Sequence, residues 1–384
     1  MLKWKQVFYA RESDWMTSKT GSSIYDDNNE STPMKASFEI LERYANITII
    51  HHRRADGALW ASAGRKILLG QAGEWRKVTE FPRRYPRDLL ALTRPGARAL
   101  RADKCNLYEN RLGSVLAIRA GQVYALEEGH LRALFPIRGD SVLHRSICED
   151  EAGVIYFGEY SMNPERLSVR VWRVVPDLSG WELAAELKDA RHVHGVFRDP
   201  FEPGTLWVTV GDGPGECRLL RAREGFRTIE VFGEGSQIWR AVNLFFTETH
   251  VAWITDSPME LNHACRIRRA DGSLEVGQAV DCPAWYGCTT VEGLHLAFTT
   301  VEQGAAVLSN ESSVLVSRDA FTWEKAYAFR KDFWKPLKLF KYGVIAPPSG
   351  ELSAEEIYLS GEGLVGLDGT SLKARVEMRG ASNA

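Results

Sequence analysis

Several features that would assign the chain to a special class of protein are absent. No CxxC pair occurs, no apolar run approaches the length of a membrane span, and neither sign of charge dominates. A formal net charge of −2 over 384 residues gives no field that would recruit nucleic acid or an anionic membrane. We therefore predict neither nucleic acid nor a membrane as a partner.

Cysteine is also sparse for a chain of this size. The amino-terminal stretch MLKWKQVFYARESDW has no apolar core of the kind that a secretory signal requires. Six scattered cysteines do not form a disulfide framework, so we predict reduced thiols in a cytoplasmic protein. These cysteines are Cys105, Cys148, Cys217, Cys265, Cys282 and Cys288.

Helical periodicity is nearly missing after residue 45, whereas one strand-rich layout repeats about every fifty residues. Each copy has a strand, a turn with glycine, two more strands, a tight turn and a short last strand. The turns, such as GQAGE and LEEGH, carry the residues that hairpins with positive φ need. The last strands begin at Trp75, Leu131, Trp181, Ile229, Leu274, Trp323 and Leu372. Seven such units predict an all-β fold, a single seven-bladed β-propeller of four-stranded antiparallel blades.

The repeats also predict the organisation of the chain. We expect the propeller over residues 45–378, an N-terminal arm over 1–44 and a frayed tail over 379–384. Within the arm, LKWKQVFYA predicts a strand that packs against the last blade and helps to close the ring. The polar stretch TSKTGSSIYDDNNESTPM predicts a loop.

The segment SRDAFTW, residues 317–323, resembles an Asp-box, the Ser-x-Asp-x-Gly-x-Thr-Trp-like turn of sialidase-type, or BNR-repeat, propellers. AREGFRTI and RADGSLEV are weaker copies. The resemblance implies a propeller over about residues 45–376, with Asp319 accepting N–H groups of its own turn. It does not imply an activity, because such propellers include lyases, hydrolases and binding proteins. Of the residue types that active sialidases use, only Arg240 and Tyr286 stand at suitable positions.

Polar residues recur where each predicted blade reaches the central channel. The residue before a blade's first strand and the residue after its second strand lie on the same rim. Aligned by their first turns, the blades place Thr48, Lys104, His144, His194, Arg240, Tyr286 and Lys341 at the first position. Five consecutive blades carry an acid at the second position: Glu159, Asp212, Asp256, Glu302 and Glu362. This mixed-charge rim predicts a ligand site at the channel mouth. A repeated acid also suits a structural role, as a cap for a neighbouring blade.

The predicted site divides into catalytic and ligand-binding residues. We assign catalysis to His194, His144, Tyr286, Glu159, Asp212 and Asp256, and substrate contacts to Arg240, Gln237, Trp239, Lys341, Glu302 and Glu362. Alternatively, Trp239 packs in the core and Arg240 pairs with Glu234. Of the neighbouring His192 and His194, we expect one to face the channel and the other a neighbouring blade.

Three chemistries suit this set. Paired acids act on glycosidic bonds, since close carboxylates raise one another's pKa and supply a proton donor. A histidine or tyrosine base abstracts the proton beside a uronate carboxylate that Arg240 and Lys341 neutralise. A divalent cation, the only cofactor we consider, would be held by His144, His194 and His263 with carboxylates, although no local HExxH spacing supports it.

The sequence therefore predicts an enzyme that acts on a glycan or sugar acid at the channel mouth, as a hydrolase or a lyase. Its partner would be a small-molecule or oligosaccharide ligand. Two alternatives stay open. One is a non-catalytic scaffold that binds glycan or protein, and the other is an enzyme of small-molecule metabolism that uses the rim histidines and carboxylates with a metal.

Overall fold

Seven four-stranded antiparallel sheets are arranged in a ring, so the predicted seven-bladed β-propeller is confirmed. The structure is a computed structural model that describes residues 4–6, 35–333, 337–340 and 342–379. In most blades the strands follow one another from the channel outward in chain order.

The blades are defined by the following strands. The short strand β1 spans Trp4–Gln6 and β2 spans Lys35–Tyr44. The first three blades comprise β3–β6 (Ile49–Arg53, Leu59–Ala63, Lys66–Gln71, Glu74–Glu80), β7–β10 (Asn106–Glu109, Val115–Arg119, Gln122–Glu127, His130–Pro136) and β11–β14 (Cys148–Glu149, Ile155–Gly158, Val169–Val174, Trp181–Leu187). The next three comprise β15–β18 (Val193–Arg198, Thr205–Val210, Arg218–Arg223, Thr228–Glu234), β19–β22 (Phe245–Phe246, His250–Ile254, Asn262–Arg268, Leu274–Val280) and β23–β26 (Ala284–Thr289, His295–Thr299, Glu311–Ser317, Glu324–Arg330). The seventh contains β27 (Val344–Ala346), β28 (Ile357–Glu362), β29 (Thr370–Arg379) and β2.

Burial along the strands follows their position in the blade. The second strands are covered on both faces by neighbouring blades, and every residue of β8, β16 and β24 is buried. Their sequences are accordingly rich in apolar residues on both faces. The fourth strands of most blades alternate between exposed and less exposed positions, as in β22 and β26. These two patterns explain why the repeat is visible in the sequence.

The ring closes through a strand from the start of the described propeller. β2 pairs antiparallel with β29 and forms the outer edge of the seventh blade. The strand predicted to begin near Leu372 is therefore the third strand of its blade, not the fourth, because the outermost position is filled from the other end of the chain. The described part of the predicted N-terminal strand, β1, pairs in parallel with β18 of the fourth blade rather than with the seventh.

Two connections between blades carry short helices. The segment from blade one to blade two contains α1 (Arg87–Leu90) and α2 (Arg94–Ala99), and the segment from blade six to blade seven contains α3 (Leu337–Phe340). A single 3₁₀ turn, Gln237–Trp239, lies between blades four and five. No helix in the described parts of the chain is long and apolar enough to cross a membrane.

The two helical connections are joined by ion pairs. The Arg98 side chain, which is 2% exposed, pairs with Asp332 and donates to the carbonyl of Phe340 at 2.8 Å. Arg94 pairs with Asp368 at 2.8 Å. Segments that are distant in sequence are thereby fixed to one another beside the channel.

The turn around Asp319 has the predicted structure. One Asp319 carboxylate oxygen accepts the N–H groups of Phe321 at 3.0 Å and Thr322 at 2.7 Å. Ser317 donates to the same oxygen at 2.8 Å. All six cysteines are unpaired, and five of them are buried.

Candidate functional site

Asp212 lies at the centre of the densest polar cluster on the channel rim. It follows β16, and its carboxylate contacts side chains from two segments, residues 191–194 and Arg240. Oδ1 lies 3.0 Å from His194 Nε2 and 3.2 Å from an Arg240 nitrogen. Oδ2 lies 3.0 Å from an Arg191 nitrogen and 3.3 Å from His192 Nε2. The predicted approach of His194, Asp212 and Arg240 is therefore present.

His192 and His194 do not face opposite sides of the strand as predicted, because residues two apart in a strand lie on the same face. A register shift between Val193 and Gly195 interrupts the pairing of β15 with β16 at His194. Both imidazoles point the same way. Their Nε2 atoms are 3.1 Å apart, and both residues are buried.

Arg240 lies between two carboxylates. Its Nε donates to Asp256 at 3.1 Å, and another guanidinium nitrogen donates to the backbone carbonyl of Asp212 at 3.1 Å. Gln237 donates to the same carbonyl at 3.0 Å. Arg240 therefore already pairs with two carboxylates of the rim, and its guanidinium is not free to bind a ligand.

Burial and charge set the pKa values in this cluster. Burial alone would raise the pKa of Asp212, but its contacts with His192 and His194 hold it well below its ordinary range. Burial raises the pKa of Asp256 despite the charge of Arg240. Burial, together with the neighbouring Asp256, raises the pKa of Glu302 to about 8. The rim thus combines an ionised carboxylate with a carboxyl group that keeps its proton at neutral pH.

A cavity next to this cluster is lined by the remaining rim positions. Among its walls are Arg101, Lys104, His144, Tyr286 and Glu362. The rings of His144 and Tyr286 meet edge to face at 5.5 Å. Burial, with the nearby Lys104 charge, lowers the pKa of His144 to about 4, so its imidazole is neutral at physiological pH.

Two further aromatic rings face the same cavity. Trp285 and Tyr342 both line it, and their rings meet edge to face at 4.9 Å. Burial raises the pKa of Tyr342, with Glu302 acting in the same direction and Arg101 against it. Tyr342 therefore lies close to both charged groups, which connects the cavity with the acidic side of the rim.

Arg101 is the cavity residue that the sequence did not predict. Its guanidinium lies 5.8 Å from the centre of the Tyr342 ring. Within the described residues, no carboxylate lies within 4.0 Å of this guanidinium. It follows α2, in the connection between blades, and carries a positive φ of 52°. The repeat alignment covers only the positions shared by all blades, so a residue in one blade's connection gave no signal.

Two predicted residues lie away from the cluster, Glu159 and Trp239. Glu159 is 1% exposed and accepts the indole N–H of Trp172 at 3.3 Å and the backbone N–H of Arg138 at 3.2 Å. Trp239 packs against Trp253 with ring centres 5.5 Å apart. This contact agrees with the alternative prediction, in which Trp239 packs in the core. Lys341 lies outside the described residues.

The predicted metal set of His144, His194 and His263 is wrong for the described residues. His263 stands on β21, the third strand of its blade, where its ring lies 3.4 Å from the Gly277 carbonyl. His144 instead lines the neighbouring cavity with Tyr286. A third strand is displaced from the channel, so its side chain does not reach the rim. The group whose ligand atoms lie within 4.8 Å of one another is His192, His194 and Asp212.

Comparison with known proteins gives a common fold. Neither protein-family models nor curated proteins include a match to the chain. A streptogramin B lyase structure aligns with a TM-score of 0.55 at 12% identity, over 91% of this chain and 100% of that one. An oligogalacturonate lyase in complex with manganese aligns with a TM-score of 0.55 at 8% identity, over 88% of this chain and 90% of that one. An oligogalacturonate lyase from Vibrio parahaemolyticus aligns with a TM-score of 0.55 at 8% identity, over 89% of this chain and 98% of that one. At these identities the chain is similar to all three in its β-propeller fold.

Proposed function

We propose that the channel mouth binds a sugar acid, as a uronate-containing oligosaccharide, and cleaves it by β-elimination. The observation that carries this proposal is Arg101, a half-buried cation on the cavity wall with no carboxylate partner among the described residues. A ligand carboxylate is the natural complement of such a guanidinium, because the pair forms two parallel charge-assisted hydrogen bonds.

The surrounding residues supply the other requirements of an elimination. Arg101 binds the carboxylate and stabilises the negative charge that develops on it. The neutral imidazole of His144 accepts the proton from the adjacent carbon, and a carbon–carbon double bond forms as the bond to the leaving sugar oxygen breaks. Glu302, with its pKa raised to about 8, donates a proton to that oxygen. Each proton and electron pair is thereby accounted for without an oxidant.

The comparisons support this chemistry only at the level of fold. Two kinds of protein with similar propellers are named as lyases, so elimination is a reaction that such a scaffold hosts elsewhere. The relation to Asp-box propellers is also part of the proposal, and the Asp319 turn supports it. Trp285 and Tyr342 offer ring faces against which a sugar would pack.

A panel of oligogalacturonate, oligoglucuronate and oligomannuronate tests the proposal. Elimination produces an unsaturated uronate that absorbs ultraviolet light, whereas hydrolysis produces reducing ends without that absorbance. We expect the absorbing product with at least one member of the panel. In Arg101→Met, kcat/KM should fall about 10- to 100-fold through loss of the charged hydrogen bonds.

Arg132→Met is the matched control, because Arg132 is exposed on an outer strand, where it pairs with Glu127 at 2.6 Å. It should leave turnover unchanged. Reducing ends without the absorbing product would replace the lyase with a hydrolase. Binding of the oligosaccharides without turnover would favour the scaffold alternative.

A further inference from the structure

The hydrogen bonds of His192 and His194 fix which ring nitrogens carry hydrogen. Nδ1 of His192 lies 2.9 Å from the carbonyl oxygen of Ser161, and Nδ1 of His194 lies 2.9 Å from that of Ala241. A carbonyl oxygen only accepts, so each Nδ1 is the donor. In a neutral imidazole the other nitrogen, Nε2, then presents a lone pair.

Both Nε2 atoms and the Asp212 carboxylate converge on one point. The two nitrogens are 3.1 Å apart, and they lie 3.3 Å and 3.0 Å from the carboxylate oxygens. With neutral rings, all of these atoms would be acceptors that repel one another. A cation among them removes the conflict, and backbone carbonyls that orient histidine rings through Nδ1 are a common feature of metal sites.

The separations suit a metal ion. Nitrogen and oxygen ligands at about 2.0–2.2 Å from one ion, at angles between octahedral and tetrahedral, lie about 2.8–3.6 Å apart. The distance between the two nitrogens and the distance from each nitrogen to its nearer carboxylate oxygen, Oδ2 for His192 and Oδ1 for His194, fall in this interval. The histidines are buried at 3% and 2% exposure, whereas the Asp212 side chain keeps 15%, so the carboxylate reaches the channel.

The geometry points to a site for a first-row divalent cation held by His192, His194 and Asp212. Two imidazoles and one carboxylate suit zinc, manganese, iron or cobalt better than magnesium, which prefers oxygen ligands. The inference does not depend on the proposed lyase reaction, since it concerns binding of the ion alone.

Two arginines share the carboxylate with the proposed ion. Arg191 and Arg240 each lie within 3.2 Å of an Asp212 oxygen. Each carboxylate oxygen has two lone-pair directions, so one serves the arginine and one the ion. Asp256, 3.1 Å from Arg240, offsets part of this positive charge. The arginines hold the carboxylate in place, but their positive charge lowers the affinity of the site for the ion.

The test is metal binding by the purified full chain after treatment with a chelator. After dialysis against Zn²⁺ or Co²⁺, elemental analysis should find one bound ion per chain. The protein loaded with Co²⁺ should show visible absorption bands. Mg²⁺ at the same concentration should not compete. His192→Gln and His194→Gln should lose the ion and the bands, with circular dichroism confirming that each variant is folded.

His263→Gln is the control, since His263 stands on β21, away from the rim, and this variant should bind as the wild type does. Folded wild-type protein that retains no ion would overturn the inference, and this holds even if a histidine variant fails to fold. Retention of the full ion content by both rim histidine variants would overturn it as well.

Discussion

Nε2 of His192 lies 3.1 Å from Nε2 of His194, because residues two apart in an extended chain present their side chains on the same side. The next residue, Gly195, stands at the register shift between β15 and β16, and the space around it is already filled. A Cβ added there would lie 2.3 Å from the ring of Phe197. The backbone beside the two histidines therefore has no room for a further side chain.

Gly195→Ala should destabilise the protein because the new methyl group overlaps the Phe197 ring. We expect a loss of about 1–3 kcal/mol in the free energy of unfolding, measured by urea denaturation. Gly180→Ala is the control, since a Cβ there would meet its nearest atom, on Val175, at 3.6 Å. Equal stability of the two variants would show that the bulge tolerates a side chain.

Arg98→Met should separate the two helical connections. It removes the partner of Asp332, whose pKa is held below its ordinary value by Arg98 and Lys331 against the effect of burial. Breaking a buried pair of this kind costs about 3–5 kcal/mol. Urea denaturation measures the loss, and Arg132→Met should lose much less, because its pair with Glu127 is exposed. Equal losses would mean that the Arg98 pair adds little to stability.

Arg240→Met should destabilise the fold and not merely weaken ligand binding. Without the guanidinium, the buried Asp256 carboxylate has lost its charged partner, and the pKa of Asp256 rises further above that of the unfolded chain. A folded-state pKa above the unfolded value favours the folded state at low pH and is a disadvantage as pH rises. The melting temperature of the variant should therefore fall further below wild type at pH 8 than at pH 5. A deficit that is independent of pH would contradict this reasoning.

Stability should decrease below pH 6.5 because several histidines are buried in neutral form. Burial, with the charges of Arg145 and Arg54, lowers the pKa of His52 to about 3. Between about pH 6.5 and pH 3 the unfolded chain binds this proton and the folded chain does not. Each such histidine then removes up to about 1.4 kcal/mol per pH unit.

Chemical denaturation at a series of pH values measures this dependence. His52→Gln should reduce its slope, whereas His130→Gln, at an exposed position, should not change it. An unchanged slope in the first variant would mean that His52 titrates normally in the folded protein.

If Glu302 donates the proton in the proposed elimination, turnover should decline above about pH 8, where the carboxyl group loses its proton. In Glu302→Gln, kcat should fall about 10²- to 10⁴-fold, and the alkaline limb of the pH profile should disappear. The rate across this pH range is the measurement. An alkaline limb that persists in the variant would assign it to another group.

Much of the fold could be predicted because each blade repeats one pattern of strands and turns. Inner strands are covered on both faces and outer strands on one, so burial at Thr205–Val210 and alternation at Leu274–Val280 are visible in the residue types. The place of Leu372 could not be predicted, since the sequence does not indicate that the outermost strand of the last blade comes from residues 35–44.

The sequence by itself determined the seven blades and the rim positions of His194, Asp212, Arg240 and Asp256, because periodic hydrophobicity and turn chemistry are local properties. Only the tertiary structure decided which of these groups meet. Pairing across blades engaged Arg240 with carboxylates and withdrew Glu159 from the cluster, the return of β16 brought Asp212 to His192 and His194, and a connecting segment supplied Arg101. Such contacts depend on backbone geometry and on residues far apart in the chain, which no local pattern encodes.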